Sequence, residues 1–67
     1  MARMLKVTGP GWEAYSGWKK EGSLWICYLS SIKTKFLVGL DHFQARRELV
    51  KRDLKWEWMG QPVEGDR

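Results

Sequence analysis

The sequence predicts a small α+β domain: a three-stranded antiparallel sheet with one C-terminal amphipathic helix packed on one face, followed by a short mobile tail. Three observations predict it. Two apolar, β-prone segments at residues 23–31 and 34–40 are separated by a short connection. A shorter strand pattern precedes them, and a long helical pattern without Gly or Pro follows them. The expected order of elements is therefore β-β-β-α.

The length of the chain limits it to one small core. The 67 residues are 43% hydrophobic and 30% charged, a composition typical of globular rather than disordered proteins. A core of this size rarely supplies more than about 3–5 kcal/mol of net stability. Because the chain has five Trp, two Tyr and two Phe, we expect aromatic side chains to hold residues 1–59 together as a single domain.

The first elements are a strand and a connection. Residues 4–8, Met-Leu-Lys-Val-Thr, alternate in polarity and precede Gly9-Pro10-Gly11, which predicts a strand that ends in a turn. The next segment, residues 12–22, repeats an aromatic residue at every third position and contains two glycines. That spacing matches no full helix or strand, so the segment is predicted to be an ordered loop with at most one short helical turn.

The two segments at 23–31 and 34–40 predict an antiparallel hairpin. In the second of them, Phe36, Val38 and Leu40 alternate with Lys35, Leu37 and Gly39. Alternate residues of a strand point to opposite faces, so the Phe36 face is the one expected to be covered.

A helix is predicted from about His42 to Lys55. Asp41 occupies the N-cap position and Gln44 follows three residues later, as in a capping box. Helical spacing places Phe43, Val50 and Leu54 on the packing side, flanked by Ala45 and Leu49. Residues 55–59 return to alternation, which fits either a frayed helix end or a short extra strand. Residues 60–67 read as a flexible acidic tail.

A single cysteine and the absence of long apolar runs exclude several classes of protein. Cys27 alone forms no intramolecular disulfide and has no Cys/His cluster around it, so neither structural zinc nor another cofactor is expected. A lone cysteine inside an apolar run is typical of a buried side chain in a reducing compartment, and we expect a cytoplasmic protein. The longest apolar run is too short for a signal peptide or a membrane span.

Enzymatic activity is not predicted. The chain has no nucleophile elbow, phosphate-binding loop, dinucleotide fingerprint or metalloprotease motif. Its one histidine, His42, lies at the start of the predicted helix, where a surface role is usual. The acidic residues are scattered, and two of them have structural explanations, Asp41 as a cap and Glu48 as a partner for Arg52.

The charge distribution gives the strongest functional indication. Residues 1–55 carry eleven basic and five acidic side chains, whereas residues 56–67 carry one basic and three acidic ones, within an overall charge of +4. A basic body with interleaved aromatic rings is what nucleic-acid binding requires, cations for phosphates and rings for bases. The predicted phosphate contacts are Lys19, Lys20, Lys33, Lys35, Arg46, Arg47, Lys51 and Arg52.

The nine aromatic rings are divided between core and surface. Four are expected in the core: Trp25, Tyr28, Phe36 and Phe43. The other five lie in the predicted loop and before the tail, and exposed aromatic residues beside cations mark a binding surface. Among them, Trp12 and Trp18 are the predicted stacking residues.

The order strand, hairpin, helix, with the run Phe-Leu-Val-Gly-Leu-Asp-His-Phe at residues 36–43, resembles the sheet-reading DNA-binding domains of plant transcription factors and the arm-binding domains of tyrosine recombinases. The predicted fold allows two mechanisms for binding DNA. In one, the uncovered sheet face enters the major groove and presents Lys33, Lys35 and Leu37 to it. In the other arrangement the helix is the reading element.

The sequence therefore predicts a small nucleic-acid-binding regulatory or accessory protein of the kind that phages and mobile elements encode, with DNA favoured over RNA. The alternative is a small protein-binding inhibitor or modulator of a host enzyme or complex, which makes no nucleic-acid contact. A homodimer is the third hypothesis, formed through an edge strand or through Trp56-Glu57-Trp58.

Overall fold

The computed structural model describes residues 2–59. Four strands form one antiparallel sheet: β1 (Ala2–Gly9), β2 (Trp12–Glu21), β3 (Leu24–Ser30) and β4 (Lys55–Met59). A 3₁₀ segment (Ile32–Leu37) and one helix, α1 (His42–Lys51), lie between β3 and β4 in the chain. The order across the sheet is β3-β2-β1-β4, so the chain crosses from one edge to the other between its last two strands. The predicted tail at 60–67 lies outside the described residues.

The prediction of an α+β domain with an antiparallel sheet and one helix is confirmed, but the sheet has four strands instead of three and the helix is not C-terminal. Residues 55–59 form β4 and pair with β1, from Met4 opposite Met59 to Thr8 opposite Lys55. Pairing with β4 satisfies the otherwise open hydrogen-bonding edge of β1. Of the two alternatives for this segment, the extra strand is the one that forms.

The first strand and its turn are confirmed, and the strand is longer than predicted. β1 pairs with β2 along its whole length, down to Gly9 opposite Trp12. Gly11 has a φ of 78°, a conformation that glycine adopts without strain. The Trp12 ring lies directly over Gly9, in the space that a Cβ at this position would occupy, so this turn requires both glycines.

The prediction of a loop at residues 12–22 is wrong. Trp12, Ala14, Ser16 and Trp18 alternate toward the helix side of β2, and the last three are buried. The small Ala and Ser side chains hide this two-residue period, while Trp12, Tyr15 and Trp18 produce a misleading three-residue one. β3 therefore pairs with β2, and the hairpin predicted between residues 23–31 and 34–40 does not form.

The strand predicted at 34–40 is also wrong, although the strand at 23–31 is confirmed as β3. Residues 32–37 form 3₁₀ turns, in which the Thr34 amide donates to the Ser31 carbonyl at 3.1 Å. The Thr34 side chain is buried and hydrogen bonds to the Ser30 hydroxyl. These local bonds compete with strand pairing, as Ser and Thr side chains commonly do.

The helix begins where the sequence predicts and ends four residues earlier. The Asp41 carboxylate accepts from the Phe43 and Gln44 amides at 2.8 and 2.9 Å, and the Gln44 side chain accepts from the Asp41 amide at 3.1 Å. At the other end Asp53 has a φ of 59°, and the Leu54 amide donates to the Leu49 carbonyl at 2.9 Å. This Schellman-type cap ends α1 at Lys51 and directs the chain into β4.

The core lies between α1 and one face of the sheet. Its buried side chains come from β1, β2, β3, the 3₁₀ segment and α1: Leu5, Val7, Trp18, Cys27, Leu37, Ala45 and Leu49. The prediction that Cys27 is a buried free thiol is confirmed. Burial raises the pKa of the Cys27 thiol, and its contact with the Leu29 carbonyl only partly offsets this effect.

The predicted packing faces need two corrections. Ala45 and Leu49 are the buried side chains of α1, whereas Phe43 and Val50 are 57% and 62% exposed. Among the rings predicted in the core, Trp25 and Phe36 pack against it but Tyr28 is exposed. Ala45 and Leu49 of α1 pack with Trp18 and Leu37 in one buried cluster.

Candidate nucleic-acid interface

The open face of the sheet, which no described element covers, has no excess of charge. Alternation and register place three lysines and three glutamates on it: Lys6, Lys19, Lys55, Glu13, Glu21 and Glu57. Lys6 and Glu13 form an ion pair with Nζ and Oε2 3.4 Å apart. A surface with balanced charges has no general attraction for phosphates.

The opposite side, which carries α1 and the 3₁₀ segment, holds the whole positive excess of the described residues. Its acidic side chains are Asp41, Glu48 and Asp53. Its basic side chains are Arg3, Lys20, Lys33, Lys35, Arg46, Arg47, Lys51 and Arg52. The fold thus separates a cationic side from a neutral one, which the order of charges along the chain does not reveal.

The exposed face of α1 concentrates these cations. Ala45 and Leu49 face the core, so the helical repeat turns Phe43, Arg46, Arg47, Val50 and Lys51 outward. These five side chains line one shallow depression, in which two apolar groups are surrounded by three cations and by no carboxylate. We call this surface the basic helix face.

Other predicted phosphate contacts are distributed around the molecule. Lys20 and Lys35 are exposed on the cationic side, and the Lys33 ammonium lies 5.6 Å from the Trp12 ring centroid. Lys19 is on the neutral sheet face, where its ammonium lies 5.4 Å from the Tyr28 ring. The fold therefore separates Lys19 from the other predicted cations.

Arg52 is already engaged within the protein. Its guanidinium stacks on Phe36, 3.8 Å from the ring centroid, and pairs with Glu48 at 3.5 Å. The i,i+4 pair predicted from the sequence is thereby confirmed. Both contacts hold Arg52 against the helix end, so it is less available to a ligand than Arg47 or Lys51.

The two predicted stacking residues are placed differently from one another. Trp18 is fully buried, and its indole N–H donates to the Ser16 hydroxyl at 2.8 Å. It presents no ring to a base. Trp12 is partly buried against the core and shares its face with Lys33, so only part of its ring is available at the surface.

A groove of about 250 Å³ separates α1 from β4. Its floor is formed by the buried Leu5, Trp18, Ala45 and Leu49, and its walls by Trp56 and Trp58 on one side and Phe43 on the other. His42 and Arg46 also line it. We call it the aromatic groove.

The groove exists because α1 is anchored at β3, which lies at the edge of the sheet opposite β4. The Trp25 amide donates to His42 Nδ1 at 3.1 Å, and Asp41 forms a β-bridge with Ile26 of β3. The buried side chains of α1 are Ala45 and Leu49. They leave Trp56 and Trp58 of β4 only partly covered.

Arg3 lies beside the groove between two indoles. Its guanidinium carbon is 4.6 Å from the Trp58 ring centroid and 5.1 Å from that of Trp25. The Nε atom is buried and lacks a hydrogen-bond partner among the described residues. The aromatic faces therefore supply the local stabilisation of this cation.

An apolar row crosses the open sheet face. Met59, Met4, Gly17 and Leu29 are successive partners across all four strands. Tyr28 lies in the bulge of β3 and, with Leu29, covers Gly17. Leu29 is 51% exposed, and Met4, Tyr28 and Met59 are also exposed, so the row forms a contact surface separate from the cationic side.

No protein-family model, no curated protein and no solved structure matches the chain. Within residues 2–59, no helix has the length and apolarity required to cross a membrane.

Two contributors to the site were not predicted, the exposed Phe43 and Arg3, and Trp56 and Trp58 were predicted only as rings outside the core. A signal for Arg3 was present, because it continues the alternation of Leu5 and Val7 toward the core side. Phe43 carried no such signal, since its helical position suits core and surface equally.

Proposed function

We propose that this protein binds nucleic acid through the cationic side of the domain, with the basic helix face as the main contact. The observation that carries the proposal is the grouping of Arg46, Arg47 and Lys51 around one depression that contains no carboxylate. None of the three forms an ion pair within residues 2–59. Their charges are therefore available to phosphates.

Segregation of charge supports the same orientation. The excess of basic residues lies on the side of α1, and the neutral sheet face points away from it. A ligand steered by the electrostatic field approaches the helix side. This arrangement favours the helix, rather than the open sheet, as the element nearest the nucleic acid.

Fluorescence anisotropy with a labelled 12-nucleotide single strand and with the matching duplex tests the proposal at about 50 mM salt. We expect binding to at least one of them. If Arg46, Arg47 and Lys51 each neutralise one phosphate, the log–log slope of the binding constant against salt is about −2 to −3. Failure to bind either oligonucleotide contradicts the proposed function.

A second candidate function is self-association, and we propose the apolar row on the open sheet face as its contact. A second copy is the favoured occupant because the face has no net charge, so two copies meet without net electrostatic repulsion in the isologous interface that a homodimer uses. Light scattering over a range of concentrations should show a dimer that the double substitution M4K/L29K abolishes. Ile32→Lys is the control, since Ile32 is 87% exposed outside this face. A monomer at every concentration overturns this candidate.

A further inference from the structure

We propose that the aromatic groove receives one unstacked base of a single-stranded nucleic acid whose phosphates contact the basic helix face. This inference rests on the proposed function and makes it more specific, because it selects a single strand over a duplex. It is carried by a shared boundary: Phe43 and Arg46 line both the groove and the depression on the helix face. A base and its neighbouring phosphates can therefore be bound side by side.

The size of the groove limits what it can hold. Its volume of about 250 Å³ is below the roughly 300–1,000 Å³ of pockets that enclose drug-sized ligands. A single planar ring system suits such a space. Trp56, Trp58 and Phe43 line it, and stacking on aromatic side chains is how proteins bind bases with little sequence preference.

The charge at the mouth of the groove selects an anionic partner. Arg46 lines the groove itself, and Arg47 and Lys51 continue the cationic surface along the next turn of α1. Phosphates that flank an inserted base have these three cations within the same depression. The combination of a cationic track with an aromatic recess is the arrangement found in proteins that bind single strands.

A duplex is the less favourable ligand for this site. Its bases are stacked and paired, and extrusion of one base is energetically unfavourable. A duplex therefore contacts only the basic helix face, whereas a single strand contacts both surfaces. Single-stranded DNA and RNA share the base and phosphate chemistry on which the inference depends.

The test compares Phe43→Ala with the control Ile32→Ala. Both residues are exposed apolar side chains, but Ile32 lies in the 3₁₀ segment and lines neither the aromatic groove nor the depression on the basic helix face. Binding of labelled dT12, rU12 and a duplex is measured by anisotropy at one salt concentration. We expect F43A to weaken single-strand binding by about tenfold, because one base–aromatic stack is lost, and I32A to change it by less than about twofold. Duplex binding should change little in either variant, because cations hold the duplex phosphates.

The outcomes separate this inference from the proposed function. If wild-type protein binds single strand and duplex equally and F43A loses no single-strand affinity, the groove assignment is wrong while the function stands. If no oligonucleotide binds, both fail. Tighter binding of dT12 or rU12 than of the duplex, lost in F43A, supports the inference. An acidic, tyrosine-containing peptide that displaces dT12 at lower concentration than unlabelled dT12 overturns the inference in favour of a protein ligand.

Discussion

Trp18 and Trp58 meet edge to face across β1, with ring centroids 5.4 Å apart and ring planes at 71°. Since β1 lies between the strands that carry them, this contact joins β2 to β4 over the central part of the sheet. Trp18 is fully buried beneath the groove, whereas Trp58 forms its wall. The same pair therefore stabilises the core and positions the candidate binding surface.

Substitution of Trp18 should affect folding before it affects any ligand. Trp18→Ala removes a fully buried side chain and should cost about 3–5 kcal/mol, comparable to the whole stability of so small a domain. Urea unfolding followed by far-UV circular dichroism should show little folded protein. Trp18→Phe, which keeps much of the bulk but leaves the Ser16 hydroxyl without its partner, should remain folded with about 1–3 kcal/mol lower stability. A stable W18A variant would contradict this account of the core.

The helix C-cap offers a stabilising substitution. Asp53 adopts a φ of 59°, and a left-handed conformation costs a non-glycine residue about 1–2 kcal/mol. Asp53→Gly should therefore raise the free energy of unfolding, by up to about 1 kcal/mol after the greater entropy of the unfolded glycine is included. Thermal unfolding measures the gain, and Asp53→Ala is the control. Equal melting temperatures for D53G and D53A would show that the backbone conformation is not the determining factor.

The contribution of the basic helix face to binding can be tested by comparing charge reversals on this face with equal charge reversals on the open sheet face. R47E/K51E alters the exposed face of α1, whereas K19E/K55E makes the same change in net charge on the open sheet face. The first variant should lose more than tenfold in oligonucleotide affinity, and its salt slope should fall by about 1–2. The second should lose less than about threefold. Equal losses in the two variants would mean that overall charge, and not this surface, controls binding.

The buried thiol predicts a pH dependence of stability. Burial raises the pKa of Cys27, so the folded protein retains the proton at a pH where the unfolded chain releases it. The contribution is complete below the ordinary thiol pKa of about 8.5 and declines as the pH rises above it. Urea unfolding between about pH 7 and 10 should show a steeper loss of stability in the wild type than in Cys27→Ala. Parallel curves would exclude this contribution.

Much of the local structure follows from short-range sequence signals. The turn at Gly9-Pro10-Gly11 and the cap at Asp41 and Gln44 depend on contacts within a few residues, and both form as predicted. The end of α1 was not predicted correctly. The left-handed residue that ends the helix is Asp53, and the sequence shows no glycine there to indicate such a turn. Residues 34–40 have the composition of a strand. Residues 32–37 nevertheless form 3₁₀ turns, which local backbone bonds and the hydrogen bond of the buried Thr34 hydroxyl stabilise.

The candidate site was predictable only in part. Arg46, Arg47 and Lys51 were evident from composition and helical spacing, since three- and four-residue separations share one face. The roles of Trp18 and Phe43 were predicted in reverse: the structure buries the first and exposes the second. Large apolar residues are equally suited to both environments, and the neighbours that decide between them lie far away in the chain.

By itself, the sequence determined an aromatic-rich α+β domain with a capped helix, a buried Cys27 and an excess of basic residues. Those features depend on composition and on neighbours within one or two turns. Only the tertiary structure decided that β4 pairs with β1, that the basic excess gathers on the α1 side, and that Trp56 and Trp58 form a groove with Phe43. Each of these results depends on strand order and helix rotation, which long-range packing sets.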